Sequence, residues 1–230
     1  MLNGITGVNL ASFLTATQGV NIDLAVTSAQ FGNAGSDEVG DILLSIEGLE
    51  GSNLSHTLSG DNVSNSIPGK DGNDVIDGRG GFDLINGGNG SDTILGGLGS
   101  DDITGKAGAD SINGEDGLDT LSGDSEGDTI SGGARDEVIT GGAGAELMTG
   151  GTGFDIFVFT SGFRVDQISD FGPDDIINLA SLDVFENFQD IITYQASQLG
   201  NDVLIADGLG DSILLKNVVL ESLTEGDFMF

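Results

Sequence analysis

The chain has no cysteine, no tryptophan, one histidine, one tyrosine and six basic residues among 230. Each shortage closes a class of function. Without cysteine there can be no disulfide framework. The single imidazole, His56, cannot build a two-histidine zinc centre, and no H-E-x-x-H motif occurs. Six basic residues against 38 acidic ones leave a net charge of −32. That removes nucleic acid as a partner, because phosphate contacts need Lys and Arg. It also works against anionic membrane surfaces, and it opposes compaction through self-repulsion. Tyr194 is the only large planar side chain besides Phe that could stack on a sugar. No apolar run approaches the roughly 18 residues of a membrane span. The N-terminus shows neither a basic n-region nor an apolar h-region, so no classical signal peptide is expected.

What the chain has instead is glycine, 40 residues of it, in strict phase. From Gly69 to Val158 it reads in nines: Gly, usually Gly, any, Gly, any, Asp, any, a large apolar residue, any. Gly69, Gly78, Gly87, Gly96, Gly105, Gly114, Gly123, Gly132, Gly141 and Gly150 open ten consecutive units. Nine-residue periodicity of this composition is the signature of a calcium-binding β-helix. The first six residues of each unit suit a tight turn with positive φ angles. The last three place one apolar side chain between polar ones, as in a very short half-buried strand. The apolar series is Ile76, Ile85, Ile94, Ile103, Ile112, Leu121, Ile130, Ile139, Met148 and Phe157. A solvated acidic linker would lack such a ladder.

The run resembles the RTX, or haemolysin-type calcium-binding, repeats of proteins exported by Gram-negative bacteria. The resemblance implies an all-β parallel β-roll with two nonapeptides per turn, hence five turns of eighteen residues from ten units. At a strand spacing of about 4.8 Å the roll would be about 24 Å long. Residues eighteen apart would then share an edge: Asp74, Asp92, Asp110 and Asp128 on one, Asp83, Asp101 and Asp119 on the other. In the family a Ca²⁺ ion sits between stacked turns, held by the Asp of each and by backbone carbonyls of the glycine loops. The carbonyl donors implied are those of Gly72, Gly81, Gly87, Gly88, Gly90, Gly96, Gly97, Gly99, Gly105, Gly108, Gly114 and Gly117. All-oxygen ligation with six or more donors suits Ca²⁺. Sites with Asp on both sides would be 74/92, 92/110, 110/128, 83/101 and 101/119. Five ions would cancel about ten charges and couple metal binding to folding. Beyond them the pattern decays. Glu137 and Glu146 replace Asp, Glu126 and Arg135 replace Gly, and the restored Asp155 stacks on Glu137.

The flanks carry less pattern. Residues 1–50 are expected to form an irregular β cap, with Val20–Val26 alternating, turn chemistry from Phe31 to Glu38, and one or two strands from Ile42. Leu10–Thr17 fits a short helix or a strand. Residues 51–68 keep the phase without the ligands: His56 and Asn65 stand where Asp belongs, and Asn65 could offer an amide oxygen above Asp83. Residues 51–158 would thus form the roll and 159–230 a C-terminal cap. In the latter, Val165–Leu179 resembles the segment that closes RTX rolls in serralysin-type proteases; its acidic residues are expected to form a solvated turn, with a capping calcium site as the alternative. Asp183–Gln195 fits a short helix, and Asp202–Ala206 with Ser212–Val219 a hairpin. The end, Leu223-Thr-Glu-Gly-Asp-Phe-Met-Phe230, resembles an uncleaved type I secretion signal and also fits a final edge strand.

Catalytic signatures are poor. Gly123-Asp-Ser125-Glu-Gly127 matches the G-x-S-x-G elbow, but it lies in phase inside the array and lacks the strand-to-helix context. The expectation is a non-catalytic, secreted calcium-binding domain whose partners are Ca²⁺ and a type I secretion apparatus. Rival readings are the C-terminal part of a larger secreted enzyme, an extracellular polysaccharide-binding module, and a surface or matrix protein that assembles with calcium.

Overall fold

The computed structural model describes residues 9–25 and 46–230, together with the backbone of Leu2–Asn3 and Leu43–Leu44. The turn expected at Phe31–Glu38, Val26 and the start of the strand expected at Ile42 lie outside the described residues.

Among the described residues nearly all structure is β. Two sheets, of 11 and 10 strands, take alternate strands of the chain, all pairing in parallel except Ala196–Leu199, Asp202–Ala206 and Ser212–Leu215 among themselves at the end of the larger sheet. One contains Val75–Asp77, Thr93–Leu98, Ser111–Asp116, Thr129–Ala134 and Leu147–Thr152; the other contains Leu84–Asn89, Asp102–Ala107, Thr120–Ser125, Val138–Ala143 and Ile156–Val158. The register is eighteen residues throughout the array: Ile76 pairs with Ile94, Ile94 with Ile112, Ile85 with Ile103, and Ile139 with Phe157. This is a parallel β-roll, as the resemblance implied. The ladder residues from Leu58 to Phe157 are all at most 2% exposed and meet between the sheets.

The strands are longer than the apolar signal. Most span six residues, from the one after Asp through the third of the next unit, so the turn shrinks to three residues. The reason lies in the opening glycine. It faces inward and is buried, and the two residues after it pair with the neighbouring turn. The strand bends at the second residue, which adopts positive φ. At Gly88 (φ 114°) an added Cβ would strike the Lys70 carbonyl. Lys70, Arg79, Lys106, Glu115 and Asp124 take this geometry despite their side chains, with φ between 71° and 84°, where non-glycine residues are strained.

The sheets run past both ends of the ten-unit array. Thr57–Ser59 pairs with Val75–Asp77, and Asn21–Asp23 pairs with Thr57–Ser59. Leu10–Ser12 is a strand, paired with Gly48–Glu50. The Arg79 guanidinium grips Asp23 with two hydrogen bonds of 2.6 Å, tying the N-terminal strand to the roll. At the other end Val165–Ile168 and Ile176–Asn178 extend the two sheets. The hairpin of Asp202–Ala206 and Ser212–Leu215 joins one sheet, and Phe228–Met229 ends the other as an edge strand. A single helical turn at Phe188–Asp190 runs into a π-turn at Ile191–Gln195, with Ile191 fully buried. Phe159 and Phe163 pack edge to face, 5.2 Å between ring centres, under this cap.

Candidate metal centres along the roll edges

The sixth residue of each unit ends the turn, and its side chain folds back into the roll. Asp74, Asp83, Asp92, Asp101, Asp110, Asp119, Asp128 and Asp155 are all at most 3% exposed. One oxygen of each is used structurally. Asp74 Oδ1 accepts the His56 N–H, Asp92 Oδ1 that of Asp74, Asp110 Oδ1 that of Asp92 and Asp128 Oδ1 that of Asp110, at 2.7–2.8 Å. On the opposite edge the same relay joins Asn65, Asp83, Asp101 and Asp119. The eighteen-residue spacing therefore does build two columns of stacked carboxylates.

The second oxygen has no partner. Oδ2 of Asp74, Asp83, Asp92, Asp101, Asp110, Asp119 and Asp128 is buried without a hydrogen-bond donor. Each points at the opening glycine of its own unit. A Cβ at Gly78 would sit 2.5 Å from Asp83 Oδ2 and 2.6 Å from the Gly96 carbonyl oxygen. At Gly96 the corresponding distances are both 2.8 Å, to Asp101 Oδ2 and the Gly114 carbonyl. Carboxylate and carbonyl thus converge where only glycine leaves room. Burial raises the carboxyls of Asp74, Asp83 and Asp128 to about 7 and those of Asp110 and Asp119 to about 6. Asp92, Asp101 and Asp155 are raised for the same first reason. A buried, unpartnered carboxylate oxygen is costly; a cation or a proton removes that cost. The donor set is all oxygen and rich in carbonyls, which fits Ca²⁺. No three acidic or imidazole side chains converge among the described residues, so most donors to any ion here would come from the backbone.

The other glycines divide into two groups. Gly72, Gly81, Gly90, Gly97, Gly99 and Gly108 share the positive φ of Gly88, whereas Gly87, Gly105, Gly114 and Gly117 are needed because a Cβ would collide with Asp or carbonyl oxygens.

The degenerate units behave differently. Asn65 is buried, but its Oδ1 already accepts the Asp61 N–H at 2.8 Å. His56 is packed in the core, with Nδ1 facing the Val20 N–H at 3.0 Å and Nε2 facing both the N–H and the Oγ of Ser52 at 2.9 Å; a neutral imidazole accepts at only one of its nitrogens. Glu137 and Glu146 are buried in line with the columns, yet neither accepts the N–H of the residue eighteen before it among the described bonds, and both oxygens of each are unpartnered. Burial first, then Asp155, pushes the Glu137 carboxyl up to about 8. Arg135 is forced to a φ of 102° at a glycine position. Ser125 Oγ donates to the Lys106 carbonyl at 3.0 Å, far in sequence from the engaged His56, so no nucleophile and base are brought together there.

Two acidic residues of the closing segment, expected foremost as solvated turn, stand in the columns instead. Asp166 Oδ1 accepts the Glu146 N–H and Asp175 Oδ1 the Asp155 N–H, each at 3.1 Å and each twenty residues apart. The signal was present locally: Asp166-Gln-Ile168 and Asp175-Ile-Ile177 repeat the Asp-x-apolar triplet, and Ile168 and Ile177 are fully buried.

A sequence profile described as RTX calcium-binding nonapeptide repeat (4 copies) matches residues 68–103, 95–130 and 122–157. No curated protein matches the chain. Among solved structures it is similar to the extracellular lipase LipA from Serratia marcescens, at 17% identity and a TM-score of 0.35, over 80% of this chain and 39% of the lipase. It is also similar to a subunit of the Azotobacter vinelandii mannuronan C5-epimerase, at 24% identity and a TM-score of 0.34, over 64% of this chain and 78% of that one. The chain therefore spans well under half the length of the lipase it resembles.

Proposed function

Residues 68–157 are RTX calcium-binding nonapeptide repeats, and from that premise we propose that the chain is a non-catalytic module that folds on binding Ca²⁺ outside the cell. The observation that carries this reading is the double column of buried Asp side chains from Asp74 to Asp128, each with one oxygen committed to the backbone and one without a partner. The proposed ligands are Asp74, Asp83, Asp92, Asp101, Asp110, Asp119, Asp128 and Asp155, with carbonyls of the glycine loops and with Glu137 and Glu146 in the decayed units. When bound, the ions supply positive charge between adjacent turns. The chain's own part is to aim Oδ2 and the glycine carbonyls into one gap and to exclude side chains from it.

Where calcium is scarce, a net charge of −32 and the desolvation of these carboxylates oppose folding. At millimolar calcium, sites with Kd of about 10⁻⁴–10⁻³ M suffice to reverse the balance. Such a switch suits a protein exported unfolded. Residues 223–230 serve in this reading as the type I secretion signal, with 1–50 and 159–230 as caps around the roll at 51–158. Far-UV circular dichroism during a calcium titration, with magnesium as control, tests it. A cooperative coil-to-β transition specific to Ca²⁺ is expected. A full β spectrum in excess chelator would sink the folding switch.

A further inference from the structure

The carboxylate column on the edge of Asp74 does not stop where the nonapeptides stop. From Asp74 to Asp128 each Asp on this edge caps the N–H eighteen residues before it; Glu146 breaks the relay, and at the end of the roll it resumes at an interval of twenty, where Asp166 Oδ1 caps the Glu146 N–H. The strands stay aligned, Met148 opposite Ile168, so the two extra residues are absorbed in the loop. Asp166 is fully buried and Glu146 is 2% exposed. Three of their oxygens, Glu146 Oε1 and Oε2 and Asp166 Oδ2, have no donor. Asp175, the counterpart on the other edge, differs: its Oδ2 accepts the Gly172 N–H at 2.7 Å.

We propose that Glu146 and Asp166 together hold a divalent cation, Ca²⁺ by the character of the donors, in a gap the nonapeptide template does not reach. The proposal rests on the calcium reading above and adds a site to it. Glu146 is freed for this role because it does not cap the Asp128 N–H, which leaves both its oxygens available. Its extra methylene carries Oε1 against Gly144, where a Cβ would collide with both that oxygen and the Glu126 carbonyl, so a backbone donor lies beside it. The two carboxyls lie within hydrogen-bonding reach of one another. Neither carboxylate forms an ion pair among the described residues. A single shared proton would bridge two of the three free oxygens and leave the third unsatisfied. A Ca²⁺ ion, which accepts 6–8 oxygen donors, takes all three.

Native mass spectrometry of the full chain in calcium counts the ions. Asp166→Asn and Glu146→Gln are each expected to bind one ion fewer than the parent, while Asp174→Asn, an exposed neighbour, keeps the full count. An unchanged count in both variants, with equal or higher thermal stability, would mean the pair shares a proton and would overturn the proposal. If neither variant folds in calcium, the calcium-loaded parent decides by infrared spectroscopy at a pH above the Glu137 value of about 8. A protonated-carboxyl band that shifts on Asp isotope labelling overturns the site, and its absence supports it. A parent chain that binds no calcium at all fails the broader reading, whereas a parent that binds it beside variants that lose nothing fails only this site.

Discussion

Asp101→Asn separates charge from ligation most cleanly. Asp101 sits in mid-column: its Oδ1 accepts the Asp83 N–H at 2.8 Å and its own N–H donates to Asp119 Oδ1 at 2.8 Å. Asparagine keeps an oxygen for the Asp83 N–H, so the relay survives. What changes is the buried, unpartnered Oδ2 beside Gly96 and the Gly114 carbonyl. An ion on either face of Asp101 loses an anionic donor. A site with Kd of about 10⁻⁴–10⁻³ M contributes RT ln(1 + [L]/Kd), roughly 1.4–2.7 kcal/mol at about 10 mM calcium. Two damaged sites therefore cost about 3–5 kcal/mol, read as a drop in urea stability and a higher calcium midpoint. Asp102→Asn makes the same charge change one residue away on an exposed side chain, and it should stay within about 0.5 kcal/mol of the parent. In chelator the sign reverses, because the amide removes a buried carboxylate that has nothing to neutralise it. Equal losses for the two variants in calcium, or equal losses for Asp101→Asn in calcium and in magnesium, would refute the ligand assignment.

Two further outcomes are expected. Arg135→Gly restores the template at a residue held at φ 102°; relief of about 1–2 kcal/mol of backbone strain should lower the calcium midpoint, and a higher midpoint would show that the guanidinium itself supports the edge. Acidity should act oppositely with and without metal. The raised carboxyls, about 7 for Asp74, Asp83 and Asp128 and about 6 for Asp110 and Asp119, favour the metal-free fold in their protonated form. That contribution is complete below the unfolded values near 4 and is lost as pH rises through 6–7. Metal-free chain should gain β signal between pH 8 and 5, while the calcium midpoint worsens over the same window as protons compete for the ligands. A pH-independent calcium midpoint would contradict the buried-carboxylate account.

The caps show how far pattern reading reaches. The hairpin around Asp207–Asp211 and the terminal edge strand were legible because alternation and turn chemistry are local signals. Asp166 and Asp175 were read foremost as solvated turn, although they carry the same Asp-x-apolar triplet as the repeats. A periodic search loses them once two residues are inserted in the loop, since only the pairing of strands shows that the insertion leaves the column intact. Strand length was misjudged for a related reason. Glycine at the first position signals a turn in sequence, yet here it is an inward-facing strand residue, kept small by the carboxylate and carbonyl it must not touch.

From the sequence alone came the nine-residue phase and the identity of the core, and from the resemblance that phase carries came the roll and the stacking of Asp at eighteen-residue intervals. Those follow because each unit encodes its own turn and its own inward side chain, and identical units must stack identically. Tertiary structure decided the rest: that the Asp residues from Asp74 to Asp128 give one oxygen to the backbone and leave the other without a donor, that His56 and Asn65 head the columns with side chains engaged by backbone N–H groups, and that the column on one edge runs on to Asp166. These depend on which groups of neighbouring turns meet within hydrogen-bond distance, and no period along the chain records that.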